Sequence, residues 1–282
     1  MRVITSIKEM HAYSVSMKIR SKTIAFVPTM GFLHEGHLSL VEAARERADL
    51  VVVSIFVNPT QFGPKEDLSK YPRDIANDKK QLKNFDVDIL FLPSAADLYP
   101  DEYKSYVEVE ELSKRLCGQA RPQHFRGVAT IVTKLFNIVL PDYAIFGEKD
   151  YQQLIIIKRL VKDLNLPVHI VGLPIVREFD GLAMSSRNKY LTPKEREHAT
   201  VLYKALQLAK KEIENGEKNC HKILLRVRSL VGSVPSMHLD YASIVDPITL
   251  VQIPKINGKV LIALAAHLGK ARLIDNVLAA PK

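Results

Sequence analysis

Residues 27–37, VPTMGFLHEGH, decide how this chain folds, because they join the end of a buried-strand pattern to two histidines in H-x-G-H spacing. Upstream, residues 23–27 form a short apolar run, and Gly31 follows where a parallel strand would give way to a loop. Apolar residues recur downstream at helical spacing: Leu38, Leu40, Val41 and Ala44. His34 and His37 are therefore predicted at the start of a helix.

The start of a helix favours anions, because its first backbone N–H groups are unpaired and the helix dipole is positive there. Two imidazoles at this point can donate hydrogen bonds to a phosphate whose charge grows as its bond breaks, and such differential stabilisation is catalysis. The alternative is local: His34 caps the helix and His37 packs beneath it. These two residues alone leave both interpretations open.

A second polar segment, AMSSRN at residues 183–188, follows the apolar run at residues 168–176. Ser185 and Ser186 offer hydroxyls and backbone N–H groups to phosphate oxygens, and Arg187 offers a planar, permanently charged fork. The alternative is a serine-rich turn that caps the next helix. Gly181, just ahead of this segment, is the predicted hinge of a mobile loop.

Neutral amides and one ion pair stand where further strands are predicted to end. Asn58, Gln61 and Gln153 carry both donors and acceptors, which suits a small polyhydroxy acid. Ligands of open α/β sheets bind beyond the carboxyl ends of the strands, which favours binding over simple solvation. Lys149 and Asp150 share the segment GEKD, where a lysine can meet phosphates, although a surface ion pair is the alternative.

The H-x-G-H and MSSRN segments together resemble the signatures of the nucleotidyltransferase superfamily, which includes class I aminoacyl-tRNA synthetases. Taken with four further segments, they resemble the pantoate–β-alanine ligase family along essentially the whole chain. The four segments are IFVNPTQF at 55–62, YPRD at 71–74, RPQHFRGV at 121–128 and FGEKDYQQL at 146–154.

The resemblance implies an ATP-dependent condensation of (R)-pantoate with β-alanine through a pantoyl-adenylate, releasing AMP and pyrophosphate. It implies that the catalytic residues are His34, His37, Lys149 and Arg187. It assigns ATP binding to Met30, Gly31, His34, His37, Gly147, Glu148, Lys149, Asp150, Val176, Met184, Ser185, Ser186 and Arg187. It assigns pantoate and β-alanine to Asn58, Gln61, Arg121 and Gln153, and implies a homodimer.

The resemblance also implies Mg²⁺, which the family commonly binds through acidic residues on the helix after YPR. Here the matching positions hold Asn77, Asp78 and Gln81. Asp78 and Gln81 are three residues apart and so share a helix face. They are the predicted metal ligands, with a solvated helix face as the alternative.

Composition predicts a cytoplasmic enzyme. Among 282 residues there are only two cysteines, no signal-like N-terminus and no apolar run near the roughly 20 residues that cross a bilayer. The net charge of +9 raises a nucleic-acid-binding protein as an alternative. Lysine and arginine are instead dispersed over helices with Glu nearby, as on solvated faces, and a positive field also attracts anionic substrates. Another H-x-G-H nucleotidyltransferase is the remaining alternative.

Strand and helix patterns alternate up to residue 176. Strands are predicted at 23–27, 50–57, 87–92, 143–146 and 168–171, with helices near 38–46, 75–84, 128–139 and 151–164. Such alternation predicts an α/β fold, a Rossmann-like parallel sheet with helices on both faces. Beyond it we expect a long helix at 193–215, a second near 221–231, and short strands at 239–245, at Leu250 and at 259–266. We therefore predict an ATP- and pantoate-binding domain at 1–175 and a smaller α+β lid domain at 176–282.

Overall fold

The first part of the chain forms a parallel sheet. The computed structural model describes residues 1–64 and 66–282. Its first six strands are β1 (Arg2–Ile4), β2 (Ile24–Thr29), β3 (Leu50–Ile55), β4 (Ile89–Phe91), β5 (Tyr143–Gly147) and β6 (His169–Leu173). They lie in the order β1-β4-β3-β2-β5-β6, and every neighbouring pair is parallel. The predicted fold class is confirmed.

Helices cover both faces of this sheet. They are α1 (Ile7–Ile19), α2 (Glu35–Arg45), α3 (Ile75–Lys83), α4 (Ala95–Leu98), α5 (Cys117–Ala120), α6 (His124–Val139) and α7 (Tyr151–Asp163). Side chains of α1, α6 and α7 pack with Phe26 and Phe91 on one face. Side chains of α2 and α3 pack with Val27 and Val53 on the other. Because successive strand residues point to opposite faces, a strand covered on both sides is apolar throughout, as the sequence of β3 is.

The last part of the chain forms a second core around an antiparallel sheet. Its helices are α8 (Pro193–Ala199), α9 (Val201–Glu214) and α10 (Cys220–Gly232). Its strands β7 (Met237–Val245), β8 (Val260–Leu268) and β9 (Ala271–Ala279) pair antiparallel in that order. Leu206, Ile223 and Leu264 are among the fully buried side chains of this core.

Two compact units describe the contacts of the chain. The first comprises residues 1–114, 120–148 and 153–174, and the second comprises 115–119, 149–152 and 175–282. The main division falls beside the predicted boundary at 175/176. No sequence pattern indicated that the segments at 115–119 and 149–152 belong with the second unit.

Several elements differ from the sequence prediction. The long helix expected at 193–215 is two helices that meet at Thr200, whose hydroxyl donates to the Glu197 carbonyl at 2.8 Å. Leu250 lies outside the strands, and β1, α1 and β9 were not predicted. No helix within the described residues is long and apolar enough to span a membrane.

Candidate active site

The loop at residues 30–37, here called the His loop, begins where β2 ends at Thr29. The Thr29 hydroxyl donates to the Ser54 carbonyl at 2.8 Å and accepts from the Gly31 N–H at 3.2 Å. Gly31 has φ +80°, and a Cβ there would lie 2.8 Å from Cγ2 of Ile55. Only glycine fits this turn without displacing a neighbour.

Asp78 of α3 holds the His loop. Its side chain is 0% exposed, and its two carboxylate oxygens accept from the N–H groups of Phe32 at 2.9 Å and Leu33 at 2.8 Å. Burial raises the pKa of Asp78, and these two hydrogen bonds oppose that shift. Gln81, one turn further along α3, donates to the Leu33 carbonyl at 3.5 Å. The pair predicted to bind Mg²⁺ therefore fixes the backbone that leads into His34.

His34 and His37 lie together at the start of α2. His34 is the N-cap residue, and Nδ1 of His37 accepts from the His34 backbone N–H at 3.4 Å. The two ring centroids are 4.1 Å apart, and both residues are half-buried. The local interpretation had His34 cap the helix and His37 pack beneath it. His34 does lie at the N-cap, whereas His37 is half-buried and accepts from the His34 backbone N–H, so this arrangement supports the capping half of that interpretation. It is compatible with the phosphate role, which stays a prediction, because organising the start also fixes the rings at the anion-favouring end of the helix.

The amide segment after β3 lies next to the His loop. Asn58 is 1% exposed and donates from Nδ2 to Oε1 of Gln61 at 3.1 Å and to the Gly127 carbonyl at 3.1 Å. Nε2 of Gln61 lies 3.0 Å from Sδ of Met30. A Cβ at Gly127 would lie 2.5 Å from the Thr60 carbonyl oxygen, so glycine lets α6 approach this segment. The structure thus brings Met30, Asn58 and Gln61 together.

Arg121 supports the same segment. Its Nε donates to Glu66 at 2.7 Å in an ion pair, and its Nη2 donates to the Gln61 carbonyl at 3.2 Å. Nδ1 of His124 lies 2.9 Å from the same carbonyl oxygen. Arg121 therefore positions Gln61, and its predicted contact with substrate stays a prediction.

The GEKD segment follows β5 and crosses from one unit to the other. Gly147 and Glu148 belong to the first unit, whereas Lys149 and Asp150 belong to the second. Nζ of Lys149 lies 3.8 Å from Oδ2 of Asp150, a long ion pair whose carboxylate is half exposed. The ion-pair alternative is thus present, although it is too weak to hold Lys149 in place. Gln153 follows on α7 and is half-buried.

Residues 184–188, here called the Ser loop, leave a hairpin-like turn in the second unit. The Met184 N–H donates to the Val176 carbonyl at 3.1 Å across this turn. Ser185 caps a 3-10 helix, Ser186–Tyr190, and accepts from the Arg187 N–H at 3.3 Å. The serine-rich segment is therefore a capping turn, as its local interpretation proposed, and its phosphate contacts stay a prediction.

Charged side chains fasten the turn ahead of the Ser loop. Arg196 of α8 donates to Asp180 at 2.8 Å and to Glu178 at 2.6 Å. Gly181 has φ +91°, and a Cβ there would lie 2.0 Å from the Tyr203 ring. Gly181 is thus a tight turn against a neighbour, a position that favours a fixed bend over the predicted hinge.

The described residues do not fit a protein-built magnesium site. Both oxygens of Asp78 are occupied by backbone donors, and Asn77 carries no charge. Across 1–64 and 66–282, no group of three or more His, Cys, Asp or Glu side chains could hold a metal ion. The assignment of Asp78 and Gln81 to Mg²⁺ stays a prediction that this geometry does not favour.

Some residues that shape the site were not predicted from the sequence. They are Thr29, Arg177, Asp275 and Asn276. A signal for the last two exists, because an acid and an amide interrupt an otherwise apolar strand pattern in ARLIDNVLA at 271–279.

Comparison with known proteins decides the family. The family model described as pantoate-beta-alanine ligase matches residues 2–278. The chain belongs to the pantoate–β-alanine ligase family. The resemblance carried by the six sequence segments is therefore confirmed.

Relatives and solved structures of this family agree over the full length. The chain is 55% identical to a pantothenate synthetase of Fervidobacterium nodosum over 278 residues, which cover 99% of each chain. It matches the crystal structure of pantothenate synthetase from Thermus thermophilus with a TM-score of 0.93 and 44% identity, over 98% of this chain and 99% of that one. It also matches a pantoate-beta-alanine ligase from Francisella tularensis, complexed with beta-gamma ATP and beta-alanine, with a TM-score of 0.82 and 39% identity, over 99% and 97% of the two chains.

Proposed function

We propose that this chain condenses (R)-pantoate with β-alanine at the expense of ATP, through a pantoyl-adenylate. The observation that carries the proposal is the His loop, whose two histidines are held together at the start of α2 in a chain that belongs to the ligase family throughout. The complex of the Francisella tularensis relative with beta-gamma ATP and beta-alanine supports the choice of substrates.

In the first half-reaction, a carboxylate oxygen of pantoate attacks the α-phosphorus of ATP, and the bond from that phosphorus to the bridging oxygen of pyrophosphate breaks. His34 and His37 donate to the leaving phosphates, where charge accumulates as the bond breaks. Lys149, Ser185, Ser186 and Arg187 bind the phosphates, assisted by Met30, Gly31, Gly147, Glu148, Asp150, Val176 and Met184 around the nucleotide. Phosphoryl transfer depends mainly on positioning and electrostatics, so this step needs no covalent enzyme nucleophile.

In the second half-reaction, the β-alanine amine attacks the acyl carbon of the mixed anhydride. The acyl–oxygen bond breaks, AMP leaves with one former carboxylate oxygen, and the amine loses a proton as the amide forms. Asn58, Gln61, Arg121 and Gln153 bind pantoate, and Gln61 borders the β-alanine site. Gln61 suits this role because Asn58 fixes its amide at a buried position.

Magnesium is proposed to accompany ATP rather than to occupy a protein-built site. The ion prefers phosphate oxygens and water, and it keeps several waters when it binds. Asp78 and Gln81 have the alternative task described above, so we assign no step of the reaction to a metal held by them.

Pyrophosphate exchange tests the adenylate. Labelled pyrophosphate should exchange into ATP with enzyme, Mg²⁺ and pantoate, without β-alanine. Pantoate labelled with ¹⁸O in its carboxylate should pass one label to AMP in the full reaction. If pantothenate forms without exchange or label transfer, the acyl-adenylate is wrong. ADP and phosphate as products would indicate an acyl-phosphate, and no activity with pantoate would favour another H-x-G-H nucleotidyltransferase.

Substrate assignments can be separated by steady-state kinetics. Gln61→Ala and Gln153→Ala should raise the KM for pantoate far more than that for ATP, because an unpaired buried polar group costs about 1 to 3 kcal/mol. Lys149→Ala and Arg187→Ala should act chiefly through ATP. Equal effects on both substrates would show that the two sites have been assigned wrongly.

The oligomeric state, the location and the lid of this protein are further parts of the proposal. We propose a cytoplasmic homodimer that binds no nucleic acid, with residues 176–282 acting as a lid. Light scattering measures the oligomeric state, and heparin resin at physiological salt should not retain the protein.

Amide exchange at residues 181–188 should slow when ATP and pantoate are both present, whereas unchanged exchange would contradict closure of a lid.

A further inference from the structure

A buried carboxylate in the second unit makes hydrogen bonds with residues that have no role in the reaction proposed above. Asp275 of β9 is 3% exposed. Its Oδ2 accepts from Nη1 of Arg177 at 2.7 Å and its Oδ1 accepts from Nη2 at 2.9 Å, which makes a two-pronged ion pair. Burial raises the pKa of Asp275, and the Arg177 hydrogen bonds oppose that shift.

Arg177 connects this carboxylate to the turn that precedes the Ser loop. Its Nη1 also donates to the Gly181 carbonyl at 3.0 Å. Its guanidinium carbon lies 4.6 Å from the centre of the Tyr203 ring, the same ring that a Cβ at Gly181 would strike. Arg177 thus contacts both the backbone of the turn, at Gly181, and the Tyr203 ring against which the turn packs.

Asn276 connects the same point of β9 to Lys149. Its backbone N–H donates to Oδ1 of Asp275 at 2.7 Å, and its side-chain Nδ2 donates to the Lys149 carbonyl at 2.9 Å. Lys149 is 127 residues earlier in the chain. Two adjacent residues of one strand therefore hold the backbone of Lys149 and the turn that leads to Ser185.

Stability alone does not account for a charge at this position. A buried ion pair must repay the cost of removing two charges from water, and apolar side chains of similar volume often stabilise a core as well or better. Hydrogen bonds in a two-pronged pair do, however, define geometry more sharply than apolar packing does.

We propose that Arg177, Asp275 and Asn276 are positioning residues that set the phosphate-binding groups of Lys149 and the Ser loop in register. The inference rests on the proposed assignment of those groups to ATP. None of the three residues is proposed to touch a substrate. Their loss should therefore weaken ATP binding and turnover while leaving the KM for pantoate unchanged.

The decisive variant removes the charges without removing the packing. In Arg177→Met/Asp275→Leu, the core should remain as stable as in the wild type, because apolar replacement of a buried pair is often neutral. The Kd for ATP, measured by calorimetry without pantoate, should rise about tenfold, the cost of one well-placed hydrogen bond. The matched control is Arg226→Met/Glu212→Leu, which removes an ion pair of the same unit that contacts neither segment and should leave the Kd for ATP unchanged.

Asn276→Ala supplies an independent arm, since it removes the bond to the Lys149 carbonyl and leaves the ion pair. It should raise the Kd for ATP by a few-fold, whereas in a Lys149→Ala background it should produce little further loss, because the group that Asn276 positions is already absent. If Arg177→Met/Asp275→Leu melts like the wild type and binds ATP equally well, the proposal is wrong. If the double variant is unfolded, Asn276→Ala decides alone, and wild-type affinity in that variant overturns the proposal. Because ATP binding is read without pantoate, an enzyme inactive on pantoate would contradict the proposed function without affecting this test.

Discussion

The His loop and the Ser loop are held by different chemistry. The His loop is held through its backbone: the buried carboxylate of Asp78 accepts from two N–H groups, the Thr29 hydroxyl accepts from a third, and Gln81 donates to a carbonyl. The turn before the Ser loop is fastened by guanidinium side chains, Arg177 to Asp275 and Arg196 to Glu178 and Asp180. Support through the backbone depends on a few neutral or buried polar groups and on chain conformation, with Asp78 supplying two of the hydrogen bonds. Support through side chains is shared among several ion pairs, so we expect some of these pairs to contribute more to stability and ATP binding than others.

The largest effect is expected at the His loop itself. His34→Ala or His37→Ala should lower kcat by about 10² to 10³, the cost of a lost transition-state donor. His34 is also the N-cap residue of α2, but the cap contacts of its backbone carbonyl with the N–H groups of His37 and Leu38 are kept by alanine, so the stability cost should stay below about 1 kcal/mol. AMP formation and thermal unfolding measure the two effects.

His34→Asn is the control, since asparagine is a good N-cap residue and should keep stability at or above that of the wild type without restoring turnover. An asparagine variant as active as the wild type would show that His34 serves only the helix.

The Ser loop should respond most strongly at its turn. Gly181→Ala places a Cβ at positive φ and against the Tyr203 ring. It should lower the free energy of unfolding by about 2 to 4 kcal/mol, the sum of backbone strain and overpacking. Urea denaturation measures the change.

Gly216→Ala separates the two causes. Gly216 has φ +96° but no atom within 4 Å of its Cβ position, so it should show the strain without the clash, about 1 kcal/mol. Equal losses in the two variants would show that the Tyr203 ring moves aside and does not fix the turn.

The sequence predicted the parallel sheet because apolar runs separated by helical patterns leave few alternatives. It did not predict α1, in which Met10 and Ser14 are the buried residues, so no apolar stripe marks the helix. It did not predict β9 because Asp275 and Asn276 interrupt the apolar pattern, although both are buried.

The polar segments proposed for the site are visible in the sequence, whereas the contacts that support them are not. His34, His37 and the Ser loop carry local spacing that a sequence displays. The partners of Asp78 lie 45 and 46 residues away, and the partner of Asp275 lies 98 residues away. Such pairs depend on the fold. Metal binding was therefore a chemically reasonable prediction for Asp78, while its contacts in the fold support the loop.

Asp78→Asn tests whether Asp78 binds a metal ion or supports the His loop. An amide offers only one accepting oxygen, so either Phe32 or Leu33 loses its partner, at a cost of about 1 to 3 kcal/mol. We expect kcat to fall about tenfold while the Mg²⁺ concentration for half-maximal activity stays unchanged. A shifted Mg²⁺ requirement at wild-type stability would identify Asp78 as a metal ligand.

The same variant gives a pH dependence of defined sign. Burial raises the pKa of Asp78 in the folded chain above its value in the unfolded chain. The folded state therefore binds the proton more tightly than the unfolded state does. The stability gained from this protonation is complete below the ordinary carboxyl pKa, and it is lost as pH rises through the raised pKa of the folded state. The stability advantage of the wild type over Asp78→Asn should grow as pH falls from neutral towards the ordinary aspartate pKa of about 4. A constant difference over this range would contradict the raised pKa.

The smallest effect is expected at the outer ion pairs. Arg196 and its two carboxylates are each about a quarter exposed. Arg196→Gln should cost less than about 1 kcal/mol and change the KM for ATP by less than about threefold, with the difference shrinking at high salt. Arg159→Gln, which breaks an exposed pair with Asp163 on α7, is the control. A loss as large as that in Asn276→Ala would show that the outer pairs position the Ser loop too.

The hydrogen bond within the start of α2 has a consequence for the tautomer of His37. Nδ1 accepts from the His34 backbone N–H, so it carries no proton of its own. In the neutral ring the proton must then lie on Nε2. Nε2 of His37 is thereby a donor even when the imidazole is uncharged. A phosphate facing that nitrogen would receive a hydrogen bond without any prior uptake of a proton, so the neutral ring is already suited to an anionic substrate.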